Sequence, residues 1–112
     1  MVEIYIIVCY NILIGGIMTC GIYKLCFPNM ENLPYVGQSQ NIEARYVAHK
    51  SALRLGKSND KLLNAYILSN KCYPILTILE ECNSLDNLDE KEVYWINKLN
   101  SIVAGLNIVR IG

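Results

Sequence analysis

The chain has 112 residues, the length of one small domain. Hydrophobic residues make up 53% and charged residues 18%, below the usual share of about a quarter, and the net charge is zero. This balance gives no bulk signal for nucleic acid or membrane. Five scattered cysteines without a C-x-x-C pair, beside a single histidine, argue against a structural zinc site.

From Ile4 to Tyr23 no residue is charged, a run of 20 residues and long enough to span a bilayer. Glu3 and Lys24 flank it and would leave the rest of the chain in the cytoplasm. Its last three residues are needed as a strand, which leaves Ile4 to Cys20, a marginal span. No basic stretch precedes it, so it does not read as a cleaved signal peptide. The expectation is a dispensable hydrophobic extension over residues 1–17 and a compact domain over 18–112, opening at Met18. The location expected is cytoplasmic, with reduced thiols, and anchoring through residues 4–20 is the alternative.

The stretch GIYKLCFPNMENLPYVG, residues 21–37, reads as two strands about a turn at Pro28–Asn32. Gly-Ile-Tyr and Tyr-Val-Gly mirror one another about residue 29. A hairpin folded there makes Tyr23 and Tyr35 cross-strand partners and sets Gly21 opposite Gly37. The second strand is expected over Leu33–Ser39. Residues 41–55 read as a helix stopped by Gly56, with an apolar stripe of Ile42, Tyr46 and Leu53. Arg45 and His49, one turn apart, lie at the edge of that stripe. Lys50, Arg54, Lys57 and Lys61 continue as a positive flank, within a stretch from 45 to 71 whose one acid is Asp60. Residues 80–92 are acidic apart from Lys91.

Asn59 or Asp60 caps a short helix over about residues 60–69. Pro74 to Leu79 reads as a third strand. Asn87 and Glu90 have capping-box spacing and open a helix to about Asn100. Leu106–Ile108 is expected to add a short extended piece. The fold class is therefore α+β: a small central antiparallel sheet of about three strands flanked by helices.

One residue stands out in the last helix. Leu88, Trp95 and Leu99 share a face, and Glu92 falls in the same stripe. A carboxylate there is costly unless it is paired or bound to a cation. A buried ion pair, with Arg45 for instance, and a ligand to a hard cation both fit. Strand tyrosines, a helix-edge arginine and a lone histidine are each ordinary structural residues when taken singly.

Taken together they are not ordinary. GIY (21–23), YVGQS (35–39), Arg45, His49, the Leu63-Asn64-Ala65-Tyr66 segment, EVYWINKLNS (92–101) and GLN (105–107) resemble the GIY-YIG nuclease superfamily, and most of all its phage and intron homing endonuclease branch. The resemblance covers residues 21 to about 108. It implies hydrolysis of a DNA phosphodiester that depends on Mg²⁺ or Mn²⁺. Glu92 is implied as the one protein ligand of the metal. Tyr23 is implied to position or deprotonate the attacking water, and Tyr35 to hydrogen-bond the phosphate or the water. Arg45 is implied to neutralise the phosphoryl oxygens, His49 to accept or relay a proton, and Asn107 to hold Glu92 or the sheet edge.

Lys50, Arg54, Lys57 and Lys61 would then meet DNA phosphates. Such contacts depend on salt and carry no base information, so a partner or fused protein is expected to supply specificity. The residues after the first helix, Gly56-Lys57-Ser58-Asn59, lack a histidine that homing members often carry there. A catalytically silent nucleic-acid-binding module, or a truncated homing-enzyme remnant, is the alternative; the full set of expected residues argues against it.

Overall fold

A computed structural model describes residues 18–83 and 86–108. The expected extension over 1–17 and the last four residues of the 18–112 domain lie outside them. The chain runs β1 (Gly21–Cys26), β2 (Tyr35–Ser39), α1 (Ile42–Arg54), α2 (Asp60–Leu68), β3 (Ile75–Glu81) and α3 (Leu88–Leu99). The three strands form one antiparallel sheet in the order β2-β1-β3, so the fold is α+β. No helix among the described residues is long and apolar enough to cross a membrane.

The helices begin and end where side chains can satisfy their backbone ends. Asn41, Asn59 and Asn87 each accept a hydrogen bond from the backbone N–H three residues on. After α1 the N–H of Gly56 reaches the Leu53 carbonyl and that of Lys57 reaches Ala52. With Gly56 at φ +70° this is a Schellman closure, and glycine takes that left-handed position without strain.

Alternation along β1 assigns the two faces of the sheet. Tyr23 and Leu25 face α1, packing with Ile42 and Tyr46. Ile22 faces α3, packing with Val36 and Leu88 and against Trp95 and Leu99. A third cluster, around Phe27, Leu53, Leu62, Ala65 and Leu106, seats α2.

The hairpin differs from the mirror read in the sequence. Gly21 pairs with Ser39, Tyr23 with Gly37 and Leu25 with Tyr35. The register is centred one residue later than residue 29, so Tyr23 and Tyr35 are not partners and the two glycines do not face each other. The connection sets this register. Met30 N–H closes on Phe27, Leu33 N–H on Met30, and Pro34 gives its carbonyl to Leu106. Residues 33 and 34 therefore belong to the loop, and β2 starts at Tyr35.

β3 runs two residues past its expected end, because the ladder with β1 continues through Glu80 and Glu81. The short extended piece expected at 106–108 is not a strand. Instead the Asn107 side chain mimics one: its Oδ1 accepts from Val36 N–H at 2.7 Å and its Nδ2 donates to Val36 C=O at 2.9 Å. One amide side chain thus closes part of the free edge of β2.

Candidate active site

The site gathers at that edge. Gly37 lies beside Tyr23 on the neighbouring strand, and a Cβ there would strike the Tyr23 hydroxyl and ring. The missing side chain lets the ring lie across β2. Its hydroxyl then meets His49 Nε2 at 2.7 Å, although Tyr23 itself is only 1% exposed. His49 is edge-on to both tyrosine rings, with centroids 5.8 Å from Tyr23 and 5.3 Å from Tyr35. So the two phenols do converge, but through an imidazole and not as a cross-strand pair.

Burial, and next the Tyr35 phenol, push the Tyr23 pKa well above the ordinary tyrosine value. Arg45 lies close enough to offset part of that rise, and Glu92 close enough to add to it. Three residues far apart in sequence therefore act on one phenol. His49 moves the other way: burial, with the Arg45 charge second, lowers its pKa to about 4. At neutral pH both members of the pair are uncharged, and the direction of their hydrogen bond is set by which ring nitrogen holds the proton.

This shift has a measurable sign. Between about 4 and 6.5, His49 binds fewer protons in the folded chain than in the unfolded one. Stability is then full above pH 6.5 and falls as pH drops towards 4, by about 3 kcal/mol at most. Urea midpoints of wild type and His49→Gln over that window test it. The wild-type curve should fall relative to the variant's, and parallel curves would refute the assignment.

A cleft of about 330 Å³ opens beside this pair. Tyr35, Arg45, His49, Lys57, Ser58 and Asn107 are among the residues that line it. Tyr23 stands behind His49. Arg45 is exposed and Glu92 is buried on α3, 7% exposed. The Glu92 stripe is as expected, with Leu88 buried and Trp95 and Leu99 packed on the sheet.

The positive flank is corrected in two places. Lys50 is only 4% exposed, and its ammonium sits 4.6 Å from the Tyr46 ring and 5.8 Å from that of Tyr73. A four-residue step from Tyr46 turns it into the tyrosine cluster and away from solvent. Lys61 donates to the carbonyls of Ile102, at 2.7 Å, and Asn107, at 2.9 Å. It ties down the segment that carries Asn107. Arg54 and Lys57 remain exposed.

Sequence reasoning missed Ser58, a short polar loop residue that gives no signal of its own. It also missed Glu43, whose buried carboxylate accepts from the Thr19 N–H at 2.7 Å and hydroxyl at 2.6 Å, fixing the start of α1. Threonine before a strand and glutamate in a helix's first turn are too common to have revealed that clamp.

Residues 19–107 match the family model of the GIY-YIG catalytic domain. A mutant of the catalytic domain of intron endonuclease I-TevI is similar in structure, with a TM-score of 0.75 and 30% identity over 85% of this chain and 98% of that one. The catalytic domain of homing endonuclease I-TevI gives a TM-score of 0.70 and 29% identity over 81% and 99%. No curated protein matches the chain.

Proposed function

The chain belongs to the GIY-YIG family of nuclease catalytic domains, and from that premise we propose that it is a divalent-metal-dependent endonuclease of homing type acting on DNA. The observation that carries this reading is the cleft itself. It offers an arginine, a phenol and an imidazole together, and a second phenol is hydrogen-bonded behind the imidazole.

Glu92 fits a hard cation such as Mg²⁺ or Mn²⁺. It is a buried carboxylate near the Tyr23 phenol. Among the described residues no group of three or more His, Cys, Asp or Glu gathers, so water would fill most of the coordination shell. When bound, such an ion supplies polarisation of the phosphate and stabilisation of the leaving oxygen.

The chain's own residues supply the rest. Arg45 presents a planar fork to the phosphoryl oxygens and offsets the charge that builds on them. Tyr35, on the cleft wall, offers a hydroxyl to the phosphate. Tyr23 and His49 work as one proton-accepting unit. As the Tyr23 oxygen takes the water's proton, the phenol's own proton passes to His49 Nε2 along their 2.7 Å bond, so the charge ends on the imidazolium and no phenolate is left in a buried place. Asn107 holds the β2 edge and so holds the cleft's shape. Lys57 and Arg54 meet flanking phosphates, contacts that weaken with salt. Choice of target sequence is assigned to a partner or fused segment.

Nicking of supercoiled plasmid tests the reading. With Mg²⁺ the wild-type chain should nick, EDTA should stop it, and Arg45→Ala should slow it by about a hundredfold. Equal rates for variant and wild type would trace the activity to a contaminant. A wild-type chain that binds plasmid without nicking it would be a silent nucleic-acid-binding module.

A further inference from the structure

On the face of the sheet away from the cleft, the chain enters β1 beside the point where it leaves β3. Gly21 pairs with Glu81, so the ladder sets Cys20 against Cys82, one residue outside each strand. The Cys82 N–H donates to the Cys20 carbonyl at 2.7 Å. Residues opposed in an antiparallel ladder hold their Cα atoms about 4.5–5.5 Å apart with side chains on one face. That lies within the span of about 4.4–6.8 Å that a disulfide bridges.

The side chains bear this out. Both cysteines pack against the same cluster of Ile22, Val36 and Leu88. Both thiols are free and half-buried, and they interact electrostatically. Cys26 sits at the far end of β1, buried, and Cys72 is exposed.

We infer that Cys20 and Cys82 form a reversible disulfide that clamps β1 to β3 when the protein meets a peroxide. One thiolate attacks a peroxide oxygen, becoming a sulfenic acid and releasing water. The second thiolate then displaces the hydroxyl as a second water, closing the S–S bond. The two thiols together lose two electrons and two protons, and one peroxide is reduced to two waters. Burial, and next the Glu80 carboxylate, raise the Cys82 thiol above its ordinary pKa. The bond is therefore slow to form, and Cys82 is a poor leaving group once it has formed.

The clamp joins the two points from which the site-bearing helices hang. Thr19, beside Cys20, holds Glu43 of α1. Glu80, two residues before Cys82, accepts from Lys91 at 2.6 Å and Trp95 at 2.9 Å, both on α3. The inference does not depend on the nuclease reading, since it concerns strand ends and thiols alone.

The test uses the full chain, treated with hydrogen peroxide, alkylated, digested and analysed by mass spectrometry. A linked Cys20–Cys82 peptide pair is expected. Oxidation should raise the thermal midpoint by about 5 °C or more, and dithiothreitol should reverse it. Cys82→Ser should abolish both effects, and Cys72→Ser should leave both in place. Oxidised wild type whose linked pairs involve only other cysteines, or whose Cys20 and Cys82 are each modified singly, overturns the pairing. A linked pair with an unmoved midpoint overturns the clamp.

Discussion

Glu92→Gln is expected to reduce plasmid nicking by at least about a thousandfold while leaving the chain folded. The substitution keeps the shape of a residue 7% exposed on α3, removes its charge and turns one acceptor oxygen into a donor NH2. Two accounts of that charge make opposite predictions. As a structural ion-pair member, its loss would strand a buried partner and destabilise the fold by about 3–5 kcal/mol. As a cation ligand, its loss would remove cleavage and leave stability within about 1 kcal/mol. Single-turnover nicking and a urea midpoint, measured on the same preparation, separate the two. Nicking within tenfold of wild type would sink the ligand role. A large drop in midpoint, with nicking restored in the cold, would favour the structural one.

The same residue shows how the sequence carried the site. Its helical stripe was legible because an acid at the 88-92-95-99 spacing breaks an apolar pattern, and burial there followed. The starts of α2 and α3 were legible because Asn59 and Asn87 precede their periodic runs, whereas Asn41, read as the first helical residue, is the cap of α1. The hairpin was legible as a hairpin but not in register. The triplets are symmetric about residue 29, yet the register follows the loop's own closures and the Pro34 carbonyl's bond to Leu106, a contact 72 residues away that no local pattern contains. Lysines were the least legible. Lys50, Lys57 and Lys61 look alike in sequence, but one lies among tyrosine rings, one is exposed and one grips two carbonyls. The difference is tertiary: each stem is long enough to follow whatever surface its backbone meets.

The register correction makes Gly37→Ala the sharper structural test. Had Gly37 faced Gly21 across the hairpin, as the mirrored triplets suggest, an added methyl would meet open backbone and change little. In the observed pairing the new Cβ would strike the hydroxyl and ring of Tyr23, which is 1% exposed and packed with Leu25, Ile42 and Tyr46. The ring is buried among these side chains, so the variant should lose about 1–3 kcal/mol of stability. Swinging the ring aside would also break its 2.7 Å bond to His49, so nicking should fall further than stability does. A double-mutant cycle identifies the cause. Tyr23→Leu removes the outer part of the ring that the methyl strikes. Adding Gly37→Ala to that background should then be nearly neutral, a coupling of 1 kcal/mol or more by order of magnitude. If the two substitutions simply add in the urea midpoint, the Tyr23 ring does not lie over Gly37. The hydrogen bond that places the phenol against the imidazole would then lose its structural basis.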